Sequence, residues 1–146
     1  MDKAEQIRHT RDQETERVNR GRVMKLPDHF DTSVVGVSFT PKYPDNFHYL
    51  NETWLYAEAA GEHLAAVIIR NPDNPYDANA CEVHVPALGE LGFVGHITKA
   101  MAARLAPELD AGVIWQGYVN YIKVNPEYPD RPGLEIRLER IDAHPE

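Results

Sequence analysis

The sequence predicts a small, mostly β barrel with one amphipathic helix packed on it. Three observations lead there. Short runs rich in β-branched and aromatic residues recur along the chain, each bounded by clusters of Pro, Gly, Asn and Asp. Only one stretch, from Thr98 to Leu109, places its apolar residues at clear helical spacing. The chain has 146 residues and is 42% hydrophobic, enough to bury one core without a disulfide or a structural metal.

The elements follow in order. Residues 1–25 are almost all polar, and Ala4, Ile7 and Val18 make only a thin apolar stripe, so this segment reads as a solvated arm or a polar helix preceding a domain over 26–146. Val34–Phe39 is the first core strand, followed by a proline-rich loop over Thr40–Asn46. Tyr49–Glu58 fits either a strand or a short helix, and its aromatic content favours a strand. After Gly61-Glu62 come strands over His63–Arg70 and Ala80–Val85, a turn over Pro86–Glu90, and a short strand over Leu91–Gly95. Thr98 is a suitable N-cap for the helix carrying Met101, Ala102, Leu105 and Leu109, and Asp110-Ala111-Gly112 supplies its stop. Val113–Val124 returns to strand. Strict alternation would put Trp115 and Tyr121 on one face and Tyr118 on the other, without deciding which face is core. Asn125–Gly133 turns the chain, Leu134–Ile141 alternates cleanly, and the last five residues are expected to fray.

Composition excludes several classes. A mean hydropathy of −0.50 and the lack of a long apolar run argue against a membrane-spanning helix. The N-terminus has no apolar core and is not expected to act as a secretory signal, so a cytoplasmic location is expected and the sequon at Asn51 carries no weight. The one cysteine, Cys81, forms no internal disulfide and lies in a strand-like run, which suits a buried, inert thiol. There is no phosphate-binding G-x-x-x-x-G-K-[ST] run, no H-E-x-x-H, no C-x-x-C and no Ser-His-Asp elbow. Glu82 and His84 merely flank a core position, so no catalysis, metal or cofactor is expected. Residues 1–25 hold seven Lys or Arg against five Asp or Glu, a balance of +2. The remaining 121 hold eight against eighteen, a balance of −10. Nucleic-acid binders usually carry a basic footprint, so any such grip must be local, modest and salt-sensitive.

One loop stands out. RNPDNPYDANA, residues 70–80, separates two strands with far more chain than a hairpin needs. Pro72 and Pro75 stiffen it, and it presents Tyr76 beside Asp77. An ionised carboxylate is acceptor-only and suits a hydroxyl donor, while repelling phosphate. A tyrosine face accepts any base. The structural alternative is that Asp77, Asn74 and Asn79 only cap local backbone groups. For Asn74 and Asn79 the structural reading is preferred. His96 and Lys99 lie at the start of the helix, where N–H groups and the dipole favour anions. A lysine there opposes the dipole, so helix stability does not explain it. Arg70 and Lys123 are further phosphate candidates; pairing with a surface carboxylate is the simpler reading for Lys123.

The string Asn74-Pro75-Tyr76-Asp77-Ala78-Asn79-Ala80, followed about fifteen residues on by Val94-Gly95-His96-Ile97 and a helix with Ala102 and Leu105, resembles the HIRAN domain. The resemblance covers about Val34 to Ile141. It implies a modified OB-like barrel with one or two packed helices, and a module that captures the free 3′ end of single-stranded DNA in DNA repair, replication or recombination. Carried over by position, Tyr76 would stack on a terminal base and Asp77 would accept from the 3′-hydroxyl. His96 and Lys99 would hold phosphates, and Phe39 and Tyr121 would add stacking faces. A helicase or other DNA-processing protein in trans is the implied protein partner, since no motor is present. Two departures stand against this. Ser38 occupies a position that can be basic, and Thr40–Ala60 is longer and more aromatic than the family pattern. The competing reading is an acidic protein-interaction module that kept the fold without DNA binding. A third gives the nucleic-acid contact to the basic arm.

Overall fold

The structure is a computed structural model that describes residues 26–129 and 131–141. The arm expected over 1–25 and the frayed end expected over 142–146 lie outside the described residues. Six antiparallel strands close a barrel: β1 (His29–Val35), β2 (Ala65–Arg70), β3 (Cys81–His84), β4 (Phe93–Ile97), β5 (Ile114–Lys123) and β6 (Gly133–Ile141). Their order around the barrel is β1-β4-β3-β2-β5-β6. Helix α1 (Asp45–Ala59) follows β1 and helix α2 (Lys99–Asp110) follows β4. The mostly β barrel expected from the sequence is therefore the fold observed.

Alternation on the strands builds the core. Val83 and Val85 on and after β3, Val94 and Ile97 on β4, Val119 and Ile122 on β5, and Leu134, Ile136 and Leu138 on β6 are all buried inside. At one end of the barrel, the loop end, β2 runs into β3 through residues 71–80 and β4 runs into α2. Helix α2 closes it with Ala102, Leu105 and Ala106, all fully buried. The expected cap is present: Thr98 Oγ1 accepts from the Met101 N–H at 3.3 Å. The buried Glu108 carboxylate pairs with Arg140 Nη1 at 2.6 Å and accepts from the Leu26 N–H at 3.2 Å, while Arg140 Nη2 donates to the Leu26 carbonyl at 2.9 Å.

Three expectations are corrected. The first strand begins at His29 and ends at Val35, because Gly36 adopts φ 69° and turns Val37–Phe39 into a 3-10 turn. Tyr49–Glu58, expected as a strand, lies within α1. Its inward residues Asn46, Phe47, Leu50, Trp54 and Ala57 recur at helical spacing, and the tyrosines that suggested a strand lie on the outer side. Asn46, fully buried, explains why the helix starts where it does: its Nδ2 donates to Thr40 Oγ1 at 2.9 Å and to the Phe93 carbonyl at 3.0 Å. Finally, Trp115 and Tyr121 do not share a face. A register shift between Val119 and Tyr121 inverts the alternation, so Trp115 is core while Tyr121 is 54% exposed.

Candidate nucleic-acid interface

Loop 71–80 is held from several directions. The Asn71 N–H donates to the Ala80 carbonyl at 2.9 Å and closes the base of the loop. Asn74 Oδ1 accepts from the N–H groups of Tyr76 at 2.8 Å and Asp77 at 3.2 Å. Asp77 Oδ1 accepts from the Asn79 N–H at 2.9 Å, and the Asp77 carbonyl accepts from the Ala80 N–H at 3.0 Å. The Cys81 thiol donates to the Asn79 carbonyl at 3.2 Å, and burial pushes its pKa up to about 11, so it is a structural donor and not a nucleophile. Asn74 thus has the structural role expected of it. Asn79 contributes through its backbone, with its side chain at the surface.

This scaffold presents Tyr76 90% exposed. Full burial of a large apolar side chain is worth about 1.5–3 kcal/mol, so a loop that fixes one in water is not explained by the stability of this chain. Asp77 spends one carboxylate oxygen on Asn79, and Oδ2 has no protein donor among the described residues. A capping role and a ligand role are therefore compatible in the same carboxylate.

Strand register brings the base of the loop beside β4. Arg70 pairs with Cys81, and Glu82 pairs with His96, one residue before the end of β4. Lys99 opens α2, is exposed, and makes no ion pair among the described residues. Arg70, Tyr76, Asp77, His96 and Lys99 thus gather at the loop end. Arg70 is already engaged. It forks onto Asp110 with Nε–Oδ1 at 2.9 Å and Nη2–Oδ2 at 3.2 Å, and donates to the Ala80 carbonyl at 2.9 Å. The Asp110 hydrogen bond raises the guanidinium pKa, and the same bond holds the Asp110 carboxyl below the usual carboxylate range. The first role of Arg70 is to tie the loop to the C-terminus of α2.

Tyr121 lies toward the end of β5 away from the loop end, and Phe39 lies four residues past Val35, the partner of His96. Phe39, 90% exposed, tips the 3-10 turn after β1, and Tyr121 stands edge-on to Trp54 of α1 with ring centroids 6.3 Å apart. Lys123, expected to pair with a surface carboxylate, makes no ion pair among the described residues.

Glu82 and His84, read from the sequence only as flanking a core position, belong to a strip on the outer faces of β3 and β4 that the sequence did not reveal. Glu82 takes Asn71 Nδ2 at 3.0 Å and His84 Nε2 at 2.8 Å, His84 stacks on Phe93 at 5.1 Å, and Phe93 meets His96 edge-on at 5.3 Å. The signal was present: Glu82 and His84 alternate with buried Cys81, Val83 and Val85, so both had to face outward.

The family model of the HIRAN domain matches residues 28–139. The chain belongs to the HIRAN domain family. HIRAN domains are in general DNA-binding modules. Among solved structures, the HIRAN domain of human HLTF is similar with a TM-score of 0.51 and 20% identity, over 77% of this chain and 74% of that one. A protein from Lactobacillus plantarum is similar with a TM-score of 0.50 and 22% identity, over 75% of this chain and 91% of that one. At these identities the two structures speak to the fold, and the fold is the OB-like barrel of the family. No curated protein matches the chain. No helix of the described residues is long and apolar enough to cross a membrane.

Proposed function

We propose that this HIRAN domain is a non-catalytic module that grips single-stranded DNA by a free 3′-hydroxyl end. The observation that carries the reading is Tyr76, held nine-tenths exposed by a cross-braced loop beside a carboxylate with one uncommitted oxygen. Tyr76 stacks on the terminal base. Asp77 accepts from the terminal hydroxyl and repels a terminal phosphate. Lys99 and His96 hold backbone phosphates near the start of α2, where N–H groups point outward. Phe39 and Tyr121 receive bases further along the strand. Arg70 acts chiefly by bracing the loop, and reaches a phosphate only if Asp110 lets go. The module works in the cytoplasm in repair, replication or recombination, beside a helicase or other DNA-processing protein in trans.

The test is fluorescence anisotropy with a short 3′-hydroxyl strand and the variants Tyr76→Ala and Asp77→Ala. Base–aromatic stacking is worth about 1–3 kcal/mol, so Tyr76→Ala weakens binding about 5- to 150-fold. Tyr76→Ala keeps the wild-type melting temperature, because its side chain is exposed, while Asp77→Ala loses the bond to the Asn79 N–H and melts slightly lower. Wild-type affinity in both would sink the proposal.

The balance of −10 outside residues 1–25 favours a second reading, a protein-interaction module without a DNA ligand. On that reading the wild-type chain binds no single strand at low salt, and partner capture is indifferent to Tyr76→Ala.

A further inference from the structure

Helix α1 carries two faces of different chemistry. The inner one packs on the barrel through Asn46, Phe47 and Leu50. On the outer side, Tyr49 is 50% and Tyr56 79% exposed. At 3.6 residues per turn these two lie within about 20° of each other around the helix axis and about 10 Å apart along it. Asp45 and Glu52 fall on the same flank, both exposed, and bear the same i, i+7 relation. The result is a stripe of alternating carboxylates and phenol rings. No lysine or arginine lies anywhere in α1; His48 stands 3.6 Å from Glu52 and edge-on to Tyr49 at 5.7 Å.

This composition selects its occupant. Two carboxylates turn away phosphate, so the stripe is not an extension of the DNA path. A second copy of the same stripe would bring like charges together. A guanidinium satisfies both halves at once: it stacks flat on a tyrosine ring and forks onto the neighbouring carboxylate. The stripe offers that pairing twice, about 10 Å apart.

We propose that the outer stripe of α1 is a docking site for an arginine-bearing segment of a partner protein, with two arginines about 10 Å apart. That spacing is two helical turns, with both arginines on one face. Asp45, Tyr49, Glu52 and Tyr56 of the stripe are not among the residues assigned to the DNA. The site does not depend on the DNA reading.

The test uses the full chain and three synthetic peptides. One presents two arginines at i and i+7 on a helical alanine background, and the others replace them with lysine or glutamate. Binding is read by peptide anisotropy and located by amide chemical shifts. The expected result is binding of the arginine peptide with shifts confined to α1, at least threefold weaker binding of the lysine peptide, and none of the glutamate peptide. Tyr49→Ser with Tyr56→Ser, which leaves the inner face intact, lowers arginine-peptide affinity tenfold or more and leaves 3′-hydroxyl DNA binding unchanged. Equal affinity for arginine and lysine, shifts centred elsewhere, or an unaffected double variant overturns the proposal. So does a shift of α1 amides on replacing the arginines of residues 1–25 with glutamine, since the chain's own arm would then be the occupant.

Discussion

Asn74→Ala isolates pre-organisation from contact. Asn74 touches no ligand in the proposed mode; its Oδ1 holds the N–H groups of Tyr76 and Asp77 at 2.8 and 3.2 Å. Removing it cuts two hydrogen bonds of about 0.5–1.5 kcal/mol net each. Tyr76 is exposed, so water replaces part of what is lost. The lower part of the range applies, for a total of about 1 kcal/mol. That energy orders the loop before binding, and without it the ordering cost falls on the complex. Affinity for a 3′-hydroxyl strand should fall about fivefold. Amide exchange at Tyr76 and Asp77 should quicken, while the core amides of β5 and β6 stay protected. The assay is anisotropy paired with hydrogen exchange. Faster loop exchange with unchanged affinity would refute the claim that the stiffness of the loop serves binding.

Other consequences are independent of that one. Gly95→Ala places a Cβ 2.7 Å from the Val35 carbonyl and 2.7 Å from Val34 Cγ1, at φ 150°, so β1 and β4 must part; a loss of about 2–3 kcal/mol is expected in denaturant melts. Arg140→Leu leaves the Glu108 carboxylate buried without its cation and costs about 3–5 kcal/mol by the same assay. Asp110 is depressed by Arg70, so its contribution is present above its ordinary value of 3.8 and lost as pH falls through the lower folded value. The stability difference between wild type and Asp110→Asn should therefore vanish in strong acid, and persistence there would contradict the pairing. Cys81 should resist alkylation at pH 8 and react once unfolded. Because its pKa rises from 9.0 to about 11, its linkage makes stability fall as pH climbs above 9.

The barrel was legible because its strands advertise themselves. LEIRLERI alternates without a break, and HLAAVIIR and ACEVHV end on turn residues, so β2, β3 and β6 fell close to their observed limits. Helix α2 was legible from Thr98 and the spacing of Met101, Ala102, Leu105 and Leu109. Helix α1 was not, because Tyr49, Leu55 and Tyr56 face solvent and blur the apolar stripe that Phe47 and Leu50 begin. The inversion at Tyr121 depended on a bulge that no residue type announces. Of the site, Tyr76 and Asp77 were visible as chemistry in the loop itself. The role of Asn74 was visible only as turn propensity, and the commitment of Arg70 to Asp110 joins residues forty apart in sequence, beyond the reach of local pattern. The strip from Asn71 to His96 needed the register of β3 against β4.

Salt dependence bounds the phosphate contribution. With Lys99 as the one Lys or Arg contact, the single-strand slope of log K on log salt is about −0.7, or about a threefold loss between 50 and 200 mM. A much steeper slope would bring the cations of residues 1–25 into the complex.

The most direct measurement compares three labelled single strands at low salt by anisotropy: one ending in a 3′-hydroxyl, one in a 3′-phosphate, and one circular. The account predicts tight binding to the 3′-hydroxyl strand alone, with the preference lost in Asp77→Ala. Equal binding to all three, or to none, would contradict it.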